Sequence, residues 1–256
     1  MRRRIILLLA AVFLLTALSA KSQEIRDGEA LLAAMHARYE HSWYDNVTFT
    51  ETADTLNPDG TTKNEIWYEA LMLPGKLRID VGPASDGNTR IFSDGGVTSF
   101  QNGKLLRTRP FVHMLLVLGF DVYRQPMRTT IDETKAQGFD LRQIHEENWE
   151  GQDVYVVGAQ KGDLKSKQFW IEKKRLLFVR LLEADEHDPA QVHDDRFSDY
   201  RRLSVGWIAA HVEFYTGGKR VFVEQYSDIK ENVKLDPALF DPSKFNQTQG
   251  LNGQTR

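Results

Sequence analysis

The chain has 256 residues, of which 41% are hydrophobic and 27% charged, with no cysteine and 33 Lys+Arg against 36 Asp+Glu. That length is ample for a real core, as one large domain or two small ones. The missing cysteines exclude a disulfide framework, a thiolate zinc site, an iron–sulfur cluster and a thiol nucleophile, and the near-neutral balance without a basic cluster argues against nucleic-acid binding.

Residues 1–20 read as a secretory signal peptide. Arg2, Arg3 and Arg4 precede a 14-residue apolar stretch from Ile5 to Leu18, and Ser19, Ala20 and Ser22 follow as small residues. Cleavage after Ala20 or after Ser22 fits this pattern. The stretch falls short of the about 20 apolar residues of a spanning helix, and an uncleaved anchor is the competing reading. No cysteine follows it, so a thioether-linked lipid anchor is excluded. The expectation is an exported, soluble, periplasmic protein whose remainder carries 30 basic against 36 acidic residues.

An amphipathic helix comes next, with Leu31, Leu32, Met35 and Tyr39 near helical spacing. From about Val47 the period becomes two. Val47 and Phe49 alternate with Thr48 and Thr50, Leu77, Ile79 and Val81 with Arg78 and Asp80, and Ile208, Ala210, Val212 and Phe214 with polar neighbours. Turn dipeptides punctuate these runs, among them Asp59-Gly60, Asp86-Gly87, Asp94-Gly95, Asn102-Gly103 and Gly217-Gly218. The pattern predicts roughly ten or eleven strands in an antiparallel meander. No linker divides it, so residues 21–245 form one domain and 246–256 a polar, disordered tail. Phe111–Phe120 breaks the alternation. It follows Pro110, a good first-turn residue, and predicts a short helix that is apolar all round. Such a helix either plugs the core or lies as a lid over an apolar cavity.

Catalytic signatures are scarce. The G-x-S-x-G elbow, Walker loop, G-x-G-x-x-G and H-E-x-x-H patterns are absent. The Glu183–Asp195 run is rich in possible ligands, including His187, Asp188, His193 and Asp194. It reads either as a divalent-cation site or as a solvated hairpin connection. Trp43, Trp67, Trp170 and Trp207 lie in or beside predicted strands, with Phe49, Phe100, Phe169 and Phe214. Rings on one face of a curved sheet fill a core or line a pocket for acyl chains.

The order of motifs from Val47 to Leu118 resembles the lipoprotein-sorting, LolA/LolB-like family. The matching features are the first helix, Pro58-Asp59-Gly60 after a strand, Ile66-Trp67, the turn Leu73-Pro74-Gly75 running into Leu77-Arg78-Ile79, Ser93-Asp94-Gly95, and the apolar helix. Tyr226, Asn232 and Leu239-Phe240-Asp241-Pro242 add to the likeness near the C-terminus. The resemblance implies a mainly β, strongly curved antiparallel sheet forming a half-open barrel with helices as a lid. It implies a non-enzymatic carrier for lipoprotein acyl chains or another envelope lipid, without a cofactor, loaded or unloaded by an inner- or outer-membrane partner protein. The expected cavity and lid residues are Phe49, Trp67, Leu73, Phe111, Met114, Leu115 and Leu118. One departure stands out: the family commonly places a lid-latching arginine where this chain has Leu73, and Arg78 or Arg90 is left to substitute. Two other readings stay open, an envelope protein-interaction module with a filled core and a metal-dependent hydrolase on His187, Asp188, His193 and Asp194.

Overall fold

The computed structural model describes residues 24–185 and 187–252; the expected signal peptide lies outside them. Helix α1 (Gly28–Tyr39) opens on the Asp27 side chain, which accepts a hydrogen bond from the Ala30 N–H at 2.7 Å. It buries Leu31, Leu32, Met35 and Tyr39, the stripe that the helical spacing predicts. Gly28 starts the helix flush against the sheet, because a Cβ there would stand 2.7 Å from Val157 Cγ1.

Six strands follow: β1 (Asn46–Leu56), β2 (Thr62–Met72), β3 (Lys76–Val81), β4 (Thr89–Ser93), β5 (Gly96–Gln101) and β6 (Lys104–Pro110). A helical strap then carries α2 (Met114–Gly119), a 3-10 turn (Asp121–Tyr123) and α3 (Met127–Ala136). Seven further strands complete the fold: β7 (Ile144–Trp149), β8 (Gln152–Val157), β9 (Gln168–Glu172), β10 (Leu177–Ala184), β11 (Val192–Arg202), β12 (Trp207–Thr216) and β13 (Lys219–Glu231). All thirteen belong to one antiparallel sheet in the order β6-β5-β4-β3-β2-β1-β13-β12-β11-β10-β9-β8-β7. The first and last long strands pair at its centre, and β6 and β7 are its two free edges. Since β6 and β7 are consecutive in the chain, the strap that joins them necessarily spans the gap of a sheet that curls without closing.

The strand count exceeds the expected ten or eleven because some reversals lack turn residues. Leu176 takes a positive φ of 56° in the turn of residues 173–176 before β10, where sequence rules look for Asn, Asp or Gly. At Asp94-Gly95 and Asn102-Gly103 the expected residues do adopt φ near 50° and 70°.

Two further expectations are corrected. Pro110 ends β6 and does not open a helix; Phe111 and Val112 are irregular and α2 begins only at Met114. The tail is not disordered where it is described. Residues Pro242–Gln247 form a 3-10 helix that buries Phe245, whose ring stacks on Phe100 with centroids 3.8 Å apart. The following residues cross the outer face of β3. Arg78 Nη1 donates to the Leu239 carbonyl and to Thr248 Oγ1, both at 3.2 Å, and the Leu251 N–H donates to Asp80 Oδ2 at 2.8 Å. The polar composition of the tail is thus spent on a buried ion pair that the sequence does not reveal as buried.

Candidate functional site

The concave face of the sheet follows from the period of two. On β1 the inward residues are Val47, Phe49, Glu51 and Ala53, all buried. Register carries this face onto the neighbours: Glu69 lies opposite Phe49, Trp67 and Tyr226 opposite Glu51, and Glu224 opposite Ala53. Farther out, Ile79 faces Glu69 on β3, and Arg90 faces Ile79 on β4.

These side chains and the strap enclose a cavity of about 230 Å³. Six phenylalanines (Phe49, Phe92, Phe120, Phe197, Phe214 and Phe222) line it with Trp67 and Tyr226, and Leu115 and Leu116 cover it from α2. Phe49 stacks on Tyr226 at 4.1 Å, and Phe222 lies 5.5 Å from both Trp67 and Phe214. Taking about 30 Å³ per water, the space would hold on the order of eight waters. It lies below the roughly 300–1,000 Å³ of ordinary ligand pockets. With the strap in place there is room for one short chain segment.

Of the seven residues the sequence proposes, Phe49, Trp67 and Leu115 line this cavity. Met114 and Leu118 are buried in the core on α2, Leu73 is packed half-buried against the core, and Phe111 rests on Phe92 with ring centroids 5.9 Å apart. The two candidate latch arginines part company. Arg78 is fully buried on the opposite face of β3 and forks onto Asp80, Nε–Oδ1 at 3.0 Å and Nη2–Oδ2 at 3.2 Å, away from the strap. Arg90 does line the cavity, at an exposed position with its guanidinium 5.6 Å from the Trp67 ring.

The carboxyl groups inside the cavity have no counterpart in the expected site. Glu69 and Glu224 line it directly, and Glu51 lies between them on β1, fully buried, with its carboxyl against that of Glu69. Burial and the neighbouring carboxyls push Glu51 up to about 12, and burial lifts Glu69 to about 7 and Glu224 to about 8. Burial likewise holds His113 down to about 4, so its imidazole stays neutral at the cavity edge. A signal was present: Phe49-x-Glu51, Trp67-x-Glu69 and Phe222-x-Glu224 each put a carboxylate on the apolar parity of a strand.

The histidine-rich run does not converge. Asp194 is forked by Arg180, with both contacts at 2.7 Å, and also bonds Arg196. His193 Nε2 contacts Asp185 at 2.7 Å. Among the described residues no three His, Asp or Glu side chains gather as a metal site. No helix among them is long and apolar enough to cross a membrane.

No protein-family model and no curated protein matches the sequence. Solved structures do match in fold. A DUF1329 family protein from Desulfovibrio piger superposes with a TM-score of 0.57 at 17% identity, over 85% of this chain and 97% of that one. A domain described as an outer membrane lipoprotein-sorting protein from Vibrio parahaemolyticus gives 0.58 at 15% identity, over 85% and 97%. A LolA superfamily protein from Nitrosomonas europaea gives 0.53 at 12% identity, over 83% and 98%. The half-open thirteen-strand sheet with its bridging strap is a LolA-like fold.

Proposed function

We propose that this protein is a non-enzymatic periplasmic carrier that holds a hydrophobic ligand, lipoprotein acyl chains or another envelope lipid, inside the curve of its sheet. The observation that carries this reading is the aromatic cavity lying between α2 and the concave face of the central strands, from β4 through β1 and β13 to β11. Each methylene moved from water into such a space contributes about 0.8 kcal/mol. A long acyl chain exceeds the present volume, so loading requires the strap to swing away from the sheet. That is an equilibrium between two placements of one segment, biased by cargo or by a membrane partner. No covalent step is needed, and the lipoprotein-sorting likeness of the Vibrio domain supports the same class of cargo.

Titration with a dansyl-labelled fatty acid tests the proposal. Saturable fluorescence enhancement, reversed by unlabelled phospholipid or diacylated peptide, is the expected result; no enhancement at any concentration contradicts it. The reading as a protein-interaction module has one observation of its own. Every residue of edge strand β6 is exposed, with Leu105 and Leu106 at 63% and 60%, so an extended partner segment has an open edge to join.

A further inference from the structure

Glu69, Glu51 and Glu224 form a diagonal across the three central strands of the concave face. Glu51 lies opposite Trp67 on one side and Tyr226 on the other, two residues from Glu69 and Glu224 respectively. Diagonal neighbours of this kind lie about 7–8 Å apart at the backbone, within reach of glutamate side chains. We propose that this diagonal is the binding site for the ammonium end of an amphiphile, caged by the rings of Trp67, Phe222 and Tyr226. The inference rests on the carrier reading and names the polar end of its cargo.

Three observations point to a positively charged, donor-bearing group. The buried Glu51 carboxyl meets only a second carboxyl, that of Glu69, and the Trp67 indole N–H is buried without a partner, so the cluster is incomplete as it stands. The cavity is ringed by aromatic faces, whose negative quadrupoles attract cations and suit alkylammonium groups in particular. The carboxyls are spread along a diagonal and do not gather as a metal site. That spacing suits the longer N–H···O contacts of an ammonium, about 2.7–3.2 Å.

The charge around the site is lopsided. Facing it are Glu69 from β2, Glu51 from β1, Glu224 and Tyr226 from β13, and Asp195 from β11. Against these stand the exposed Arg90 from β4 and the neutral His113 ahead of α2. Tyr226 already donates to Glu224 Oε2 at 2.6 Å. The Arg90 guanidinium acts on Glu51 and Glu69 from the rim, one cation against four carboxyls. Without ligand Glu51 and, at pH 7.5, most of Glu224 keep their protons, and an entering ammonium displaces a proton from this pair to solvent.

The test compares decylamine, decanol and decanoate, which share one alkyl chain, by calorimetric titration of the wild-type protein at pH 7.5. Decylamine is expected to bind at least tenfold tighter than the other two. Its heat should differ between phosphate and Tris buffers by the enthalpy of the released protons. E51Q/E224Q should bring decylamine down to the decanol affinity, with circular dichroism confirming the fold. Equal affinity for the three compounds, or amine binding without proton release, overturns the ammonium site and leaves the carrier reading intact. Failure of all three to bind overturns the carrier reading and this inference with it. Both of these outcomes are measured on the wild-type protein, so neither depends on the variant folding.

Discussion

Asp121, immediately after α2, accepts a hydrogen bond from the Gly75 backbone N–H at 2.9 Å, and this contact fastens the strap to the turn between β2 and β3. The same turn carries Leu73, where the resembled family commonly has its lid-latching arginine. The turn donates to the strap, as an arginine there would, but through a backbone N–H that meets a carboxylate. Arg124, three residues on, adds a second fastening through the Glu40 carbonyl at 3.1 Å and the Asp45 carboxylate.

Asp121 is buried, and that burial, helped by Glu133, raises it to about 7 despite the Gly75 bond pulling the other way. D121A removes the acceptor of the Gly75 N–H, at a net cost of about 0.5–1.5 kcal/mol because Gly75 itself is exposed to water. Hydrogen exchange at Gly75 and across Met114–Tyr123 should rise about tenfold. D121N keeps a carbonyl acceptor and should stay within about twofold of wild type. Unchanged protection in D121A would show that the contact does not hold the strap.

The buried glutamates make a pH prediction whose sign is fixed by their upward shifts. A carboxyl with a folded pKa above its unfolded value holds a proton that the unfolded chain has given up. Stability from such groups is intact below about pH 4.5 and declines as pH rises. Glu69 and Glu224 lose it through about 7 and 8, and Glu51 continues to lose it beyond. Wild type should therefore unfold more readily at pH 8 than at pH 5. E51Q removes one proton from this balance, with a limit of about 1.4 kcal/mol per pH unit. Its free energy of unfolding from urea titration should gain on wild type by at least about 1 kcal/mol between those pH values. A constant difference would place Glu51 in water.

Leu115 reaches the cavity from α2 and is half-buried there. L115E puts a carboxylate over the aromatic space, where desolvation opposes both its charge and an apolar ligand. Dansyl fatty-acid binding should fall at least tenfold, with the β-sheet signal unchanged by circular dichroism. Full retention of binding in a folded L115E protein would remove the strap from the site.

The C-terminal segment should behave as part of the fold. F245A removes a ring that is 1% exposed and stacked on Phe100, at a cost of about 3–5 kcal/mol. R78A removes the guanidinium forked onto the buried Asp80 carboxylate, leaving the hydrogen bonds from Thr89 and Leu251, and should cost about 3 kcal/mol. Chemical denaturation measures both, and a loss below about 1 kcal/mol for F245A would mean that the tail is only loosely held.

Much of this architecture was legible because one face of each strand must be apolar. The alternation of Phe49, Leu77, Ile79, Ile208 and Phe214 identifies the concave face, and the stripe of α1 identifies what covers part of it. The strap was less legible. Pro110 reads equally as a first helical turn or as the end of an edge strand that needs no ladder bond, and register with Gly96 decides for the strand. Helix α3 buries Thr130 and Thr134, so no apolar stripe announces it. The site was half legible. Aromatic alternation points to Phe49 and Trp67, but a glutamate inside a strand reads as solvated until register brings three of them onto one diagonal. Tertiary placement alone reveals that Glu51 is fully buried against a second carboxyl.

The most direct test of a cavity-borne cargo is native mass spectrometry of the protein purified from cell envelopes, followed by organic extraction of what it holds. A discrete adduct whose extract contains an acyl-chain amphiphile is the predicted result, and L115E should lose that adduct. A protein that is empty on purification, and still empty after incubation with total envelope lipid, would contradict the carrier reading and turn attention to the exposed edge at β6.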